Sequence, residues 1–243
     1  MAASLAVYTS RAASATLAAL AILCAISGWI NWPSDAVCES RDISWSPVPR
    51  AARKWTWGFF PRATLFTESE FLAVKTPIEE LEGRWKRYLP DHPIAIPARQ
   101  LKTLHLPRSS YAHTPRSPDS ILAIPEVFVQ LECVNLLRQH YAHRKDEGYD
   151  YSPLAAFGGP HHVVLRRADL CIERLRDAIM CWGDLSAILQ GLHIGEHGEP
   201  HSDVRLDAAH KCRDLDAVRE WTEKNAVRAV RMDNAWWGGR VFE

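Results

Sequence analysis

One short sequence pattern occurs twice in this chain and constrains its fold. Residues 133–138 read Cys-Val-Asn-Leu-Leu-Arg and residues 171–176 read Cys-Ile-Glu-Arg-Leu-Arg, so both fit Cys-[Val/Ile]-x-x-Leu-Arg. Around each copy, apolar residues recur at steps of three and four, which is the spacing of one helix face. We expect helices at 126–144 and at about 164–189. Two unrelated amphipathic helices also produce such a pattern, because each needs small and branched residues on its buried face.

The rest of the chain predicts two more helices separated by long irregular segments. A helix is expected at 77–89, with Thr76 as N-cap and Pro77 as its first residue, and another at 214–230. Prolines break up the segment 90–118, which predicts extended or polyproline structure. Glycines and a proline in 191–201 predict a loop, although His193, His197 and His201 recur there every four residues. We therefore expect a mainly α fold with long irregular loops.

The N-terminal segment is long and uncharged. Residues 12–34 carry no charged side chain, and about 20 of them are predominantly apolar, the length that a helix needs to cross a bilayer. Trp29 and Trp32 lie at its C-terminal end, where indole rings favour the membrane interface. We expect a transmembrane signal anchor at 12–32. A signal peptide cleaved near Gly28 is the alternative, and it predicts a secreted form.

The charges around this segment predict its orientation. Arg11 precedes it, and the first charges after it are Asp35 and Glu39. This distribution favours a cytosolic N-terminus at 1–11 and a lumenal body. A juxtamembrane stalk is expected at 33–65 and one lumenal helical domain at 66–243. The chain is thus predicted to be a single-pass membrane protein of the secretory pathway.

The overall charge argues against one large class of function. The chain has 29 basic and 29 acidic residues, whereas proteins that bind nucleic acid through phosphates carry a basic excess. We therefore expect no nucleic-acid partner. No Gly-rich phosphate loop, GxSxG elbow or paired-carboxylate pattern is present, so flavin and nicotinamide cofactors are not expected either.

Four segments, at 78–85, 94–104, 171–184 and 210–213, follow one another in an order that resembles the ustYa family of fungal oxidases. Residues 171–184, from Cys171 to Gly183-Asp184, resemble the second signature of that family, and His210-Lys-Cys-Arg213 looks like its closing His-x-Cys-Arg element. Upstream, 78–85 and 94–104 are similar to its earlier region. The resemblance covers about residues 70–225, and the single N-terminal span agrees with it.

The resemblance implies a membrane-anchored oxidoreductase-type protein of fungal mycotoxin and other secondary metabolism. Such proteins work by oxidative cyclisation or related oxidation, often on ribosomally made peptides, so a peptide-derived substrate is expected. The family signature is His-x-x-His-Cys, present twice, and its chemistry is thought to depend on a metal, with copper expected. Four imidazoles converging from two helices would form a suitable ligand set.

This chain departs from the signature at all four histidine positions. Val129 and Glu132 precede Cys133, and Arg167 and Leu170 precede Cys171. Glu132 is the one replacement able to ligate a metal, and an arginine at such a position repels a cation. The remaining candidate catalytic residues at the motif positions are Glu132, Cys133 and Cys171. We also expect the opposite charges of Glu132 and Arg167 to pair and hold the two helices in register.

Other histidines and cysteines offer substitute sites. If the two helices form an antiparallel hairpin, the end of the first and the start of the second meet, and imidazoles from both could gather into a metal site; these are His140, His143, His161 and His162. The alternative is that these histidines cap helix ends. Cys212 is a candidate disulfide partner of Cys171 or Cys181.

Two functional hypotheses follow. The chain is either an oxidase-type enzyme with a rearranged or shared metal site, or a non-catalytic accessory subunit that pairs with an intact family paralogue. Both predict an oligomer, either of this chain with itself or with another ustYa-type protein.

Overall fold

The computed structural model describes most of the chain and divides it into two compact units, residues 1–45 and 46–243. The described residues are 2–30, 45–59, 71, 77–106, 111, 113–144, 150–154, 157–185, 187, 189–194, 199–205 and 209–229. For 2–13, 30, 59, 189–193 and 200–205, the backbone alone is described. Thr76 and Cys38 lie outside these residues.

The first unit contains helix α1, Ala2–Ile30. The transmembrane anchor predicted at 12–32 is wrong for the part of the chain that the structure describes, because none of its helices is both long and apolar enough to span a bilayer. The prediction of a single-pass membrane protein depended on this anchor and is therefore also wrong.

The second unit mixes helices with short strands, so the expectation of a mainly α fold is also wrong. Its helices are α2 (Ile78–Lys86), α3 (Glu126–Arg144), α4 (His161–Trp182) and α5 (Leu215–Lys224). Its strands are β1 (Trp55–Phe59), β2 (Ile94–Pro97), β3 (His113–Thr114), β4 (Ser117–Ala123), β5 (Leu189–Ile194), β6 (Pro200–Arg205) and β7 (Ala209–Arg213). Turns of 3-10 helix lie at Arg50–Ala52 and Ala98–Leu101.

The strands in the described part of the chain form three small antiparallel sheets, mostly in segments predicted to be irregular. β1 pairs with β7, so part of the predicted stalk is ordered against the end of the second unit. In the proline-rich segment, β2 pairs with β4 and β4 with β3. Ile94 and Ile96 of β2 are buried and the residues after each are exposed, the alternation of a half-buried strand. The segment 191–201, predicted as a loop, belongs to the β5–β6 hairpin.

Helix α3 is the central element of the second unit, because it is covered on several sides. Near its start, Phe128 packs in a core with Val48 and Val218, joined at the margin by Trp221 of α5. Further along, Cys133 and Leu136 pack in a second core with Cys171 of α4. A helix that is buried on more than one side loses the narrow apolar stripe of a surface helix.

A disulfide between Cys133 and Cys171 joins α3 to α4. The two Cα atoms are 4.9 Å apart, and both side chains are fully buried. Glu126, seven residues before Cys133, pairs with Arg174, three residues after Cys171, through an Nε–Oε1 hydrogen bond of 2.7 Å. Moving towards the start of α3 therefore means moving towards the end of α4, so the two helices are antiparallel.

A second connection joins α3 to α2 through polar side chains. Arg138, the arginine of the first repeat, pairs with Glu82 and donates two hydrogen bonds to Asn135 at 3.0 and 2.7 Å. The Gln139 amide donates to the other oxygen of Glu82 at 2.6 Å. The Arg138 guanidinium also lies 5.7 Å from the ring centre of Trp85. Arg138 and Glu82 are only 14% and 15% exposed, so removal of either side chain would leave the other charge largely buried and uncompensated.

Replacing Cys133 and Cys171 together with alanine should lower the free energy of unfolding by about 2–5 kcal/mol, since the unfolded chain regains the freedom that the cross-link removes. Chemical denaturation of the two proteins without reductant measures the difference. Cys181→Ser is the matched control, because Cys181 is an exposed free thiol on the same helix. An unchanged midpoint in the double alanine variant would contradict the prediction.

Glu82→Gln should cost about 3 kcal/mol of unfolding free energy, because it leaves the partly buried charge of Arg138 without its counter-ion. Glu80→Gln on the same helix is the control, since Glu80 forms an exposed pair with Arg84 that is worth about 0.5 kcal/mol. Thermal or urea unfolding of both variants should separate them clearly. Equal losses would mean that the Arg138–Glu82 pair contributes no more than a surface pair.

Candidate functional site

The two cysteines of the repeated pattern lie at the centre of the candidate site. Cys133 and Cys171 are bonded to each other, so their sulfur atoms are not free thiols in this state. The predicted disulfides of Cys212 are therefore wrong: Cys171 has another partner, and Cys181 and Cys212 are free. The repeat thus places equivalent residues of α3 and α4 against each other, which sequence reasoning did not anticipate.

The antiparallel arrangement keeps the first position of one signature away from the first position of the other. Val129 lies four residues before Cys133, about 6 Å along α3 in one direction from the disulfide. Arg167 lies four residues before Cys171, about 6 Å in the opposite direction. These two positions are therefore about 12 Å apart along the helix axes and do not come together.

Arg167 is the most informative of the four replacements. Its side chain is buried, with 6% of the residue exposed. Its Nη1 donates a hydrogen bond of 2.6 Å to the carbonyl oxygen of Gly158, just before α4 begins. The expected pair with Glu132 is not among the ion pairs of the described residues. Arg167 instead ties the start of α4 to the segment that leads into it.

Glu132 is a half-buried carboxyl group on α3. Burial raises its pKa from 4.5 to about 7, because the charged form loses water that the folded chain does not replace. Burial is the sole cause of this shift, with no opposing cation. A carboxyl group that titrates near neutral pH is suited to proton transfer, although structural burial alone produces the same shift.

The four substitute histidines do not come together. His140 and His143 lie at the end of α3 against aromatic rings: their ring centres are 4.6 and 5.5 Å from that of Phe157, and His143 is 6.1 Å from Tyr151. Burial, with the nearby His143 and Arg144, lowers the pKa of His140 and favours its neutral form.

His161 and His162 are exposed at the start of α4. In the part of the chain described, no three His, Cys, Asp or Glu side chains are placed to hold one metal ion.

A histidine–carboxylate contact joins the segment after α4 to strand β7. The Nδ1 atom of His210 lies 2.6 Å from Oδ2 of Asp184, and the His210 side chain is only 6% exposed. Sequence reasoning identified His210 and the Gly183-Asp184 pair separately but did not pair them. The sequence hinted at the contact only in that both residues lie in segments that resemble the ustYa family.

Two other residues of strand β7 are in close contact with strand β1. Arg213 stands opposite Trp55 of β1, with its guanidinium 4.1 Å from the ring centre, a stacked cation–π contact. On the other face, a side chain at Gly58 would begin 3.1 Å from the sulfur of Cys212, closer than most such contacts. The closing His-x-Cys-Arg element is therefore built into the β1–β7 sheet through both faces.

The side chains of His193 and His201, and all of His197, lie outside the described residues.

Comparison with known proteins confirms the resemblance. Residues 3–225 match the model of the family described as "Mycotoxin biosynthesis protein UstYa". The chain belongs to the UstYa family. It is 31% identical over 198 residues to the UstYa family oxidase phomYc of Diaporthe leptostromiformis, covering 81% of this chain and 75% of that protein.

Other relatives agree. The UstYa family oxidase phomYc' of the same fungus is 38% identical over 197 residues, covering 81% of this chain and 67% of that protein. The UstYa family oxidase aprY of Aspergillus flavus is 23% identical over 215 residues, covering 80% of this chain and 60% of that protein. No solved structure matches the chain significantly. The relatives support an oxidoreductase-type role in fungal mycotoxin or other secondary-metabolite biosynthesis.

The copper that the family resemblance implies does not fit the residues at the signature positions. Val129 and Leu170 have no donor atom, and Arg167 places a buried cation where a ligand is expected. Glu132 alone offers oxygen atoms, and its raised pKa disfavours the anionic form that a metal needs.

The stability of the chain should depend on the proton of Glu132. Because folding raises its pKa from 4.5 to about 7, the folded chain keeps a proton that the unfolded chain loses, and the free energy of unfolding falls as pH rises through this window. Glu132→Gln removes this dependence and should be more stable than the wild type at pH 8, by about 3 kcal/mol at most.

Urea unfolding between pH 4.5 and 8 measures this difference. Glu220→Gln is the control, because Glu220 is an exposed carboxyl on α5 and its replacement should leave the pH dependence unchanged. If the wild type and Glu132→Gln curves run parallel across the window, Glu132 does not titrate as predicted.

Proposed function

We propose that this chain acts in fungal secondary metabolism as a non-catalytic subunit that pairs with an intact UstYa-family oxidase. The step it serves is the oxidative modification or cyclisation of a ribosomally derived peptide. The family match supports the metabolic setting, and the relatives' names support the oxidative chemistry.

The observation that carries this proposal is the buried Arg167. Its guanidinium occupies a position at which the family signature has a histidine, and it is held there by the Gly158 carbonyl. Moving a buried and hydrogen-bonded cation to make room for a metal ion would be costly, since the group would lose its partner without regaining water. The residues at the signature positions therefore favour a structural role for the helix pair in this chain.

A second candidate function is that the chain is itself the oxidase, with Glu132 taking or giving a proton during oxidation of the peptide. The raised pKa of Glu132 favours it, because the carboxyl group can change its protonation state near neutral pH. This candidate needs a redox centre supplied by another part of the complex or by a second subunit.

Expression in a fungal host that makes the precursor peptide separates the two. We expect no product from this chain alone, some from a relative with intact His-x-x-His-Cys signatures, and several-fold more when both are present and co-purify. Product made by this chain alone would overturn the subunit proposal. An unchanged yield when it is added to the relative would do so too.

Two matched variants sharpen the experiment. Glu132→Gln in this chain should leave the enhanced yield unchanged if the chain is non-catalytic, whereas loss of the enhancement favours the second candidate. Glu220→Gln controls for the effect of altering an exposed carboxyl elsewhere.

A further inference from the structure

Helix α4 presents an apolar stripe to solvent beside the face that packs on α3. Leu165, Ile172 and Ile179 recur every seven residues, and their exposed fractions are 37%, 53% and 68%. The apolar residues between them, Ala168 and Leu175, pack instead around the Cys133–Cys171 core. The helix therefore carries, next to its α3 face, a second apolar stripe that no part of the described chain covers.

The unpartnered stripe is extended at the end of the helix. Met180 is 73% exposed, and Trp182 is exposed as well. From Leu165 to Met180 the stripe is about 22 Å long. Repetition every seven residues is the pattern with which one helix packs along another. An exposed apolar surface of this form marks an interaction site.

The charges beside the stripe indicate which partner fits. Asp169 and Arg176 lie seven residues apart, so they project on one side of the helix one above the other, with opposite charges. Consider a second copy of α4 that runs antiparallel to the first, with a two-fold axis between residues 172 and 173. Asp169 of each copy then lies opposite Arg176 of the other copy. The same axis places Leu165 opposite Met180. The helix is thus complementary to itself.

We infer that α4 pairs with α4 of a second copy of this chain in an antiparallel, two-fold symmetric dimer. A two-fold interface uses the same patch on both subunits, which is the condition that this stripe and its two charges meet. Arg176 already contacts Glu173 and Asp177 on its own helix, but these side chains are about half exposed. Such surface pairs are weak, so Arg176 exchanges partners at little cost.

This inference is independent of the proposed function, since it concerns the purified chain without peptide or relative. A single helix pair buries less surface than a standard interface, so we expect a dissociation constant on the order of 10 μM. The test uses the full chain in a Cys181→Ser background, which removes an exposed thiol from the same helix. Sedimentation equilibrium between about 1 and 200 μM measures the association.

Two sets of variants test the stripe and the charges. Ile172→Glu with Ile179→Glu should abolish the dimer, whereas Leu106→Glu, at an exposed apolar residue outside α4, should leave it unchanged. Asp169→Arg and Arg176→Asp should each raise the dissociation constant about tenfold, because like charges then face each other twice. The double charge swap should restore wild-type association. Circular dichroism and thermal midpoints verify that each variant is folded.

A monomer throughout this concentration range would overturn the inference, as would association that occurs only with a relative. A dimer that tolerates both glutamates, or is lost equally with Leu106→Glu, would show that α4 is not the interface. If the glutamates abolish the dimer but the double charge swap fails to restore it, the antiparallel two-fold arrangement is wrong.

Discussion

The covalent bond between Cys133 and Cys171 sets the register of α3 and α4, and the geometry of the candidate site depends on that register. It fixes which residues of the two helices face each other, buries Leu136 beside the cross-link and leaves Glu126 and Arg174 to pair at one end. Because α3 also contacts α2 through Arg138 and α5 through Phe128, the bond anchors the element around which the second unit is arranged.

The same register explains why four substitutions can accumulate without disrupting the helix pair. The positions before each cysteine lie on opposite sides of the disulfide, so each replacement is accommodated locally. Arg167 donates a hydrogen bond to the Gly158 carbonyl, and Val129 is buried. Glu132 has a pKa raised to about 7, so it is neutral at pH values below about 7. The cross-link and the core around it hold α3 to α4 without a metal ion between them.

Sequence reasoning located the helices well because their evidence is local. The apolar period predicted α3 with its observed limits, and the N-capping of α5 by Asp214 follows from a residue type suited to that position. Helix α4 ends earlier than expected, at Trp182. The strands were missed, since each is short and several contain proline or glycine, which predict loops when their partner strands are unknown.

The site was harder to predict because its geometry is not local. The disulfide partner of Cys171 and the contact between Asp184 and His210 depend on the relative direction of elements far apart in the chain. The family resemblance implied four converging side chains, whereas the antiparallel pair separates Val129 from Arg167 by about 12 Å along the helix axes. The N-terminal anchor was predicted from composition and length, and the described helix does not support it.

The disulfide also has a consequence for the integrity of the chain. It closes a ring of the backbone between two cysteines 38 positions apart, and this ring contains the aromatic cluster of His140, His143, Tyr151 and Phe157. A protease that cuts the backbone once inside the ring produces two fragments that remain joined. Such a nicked molecule keeps both helices attached to their shared core and separates into pieces only when the bond is reduced.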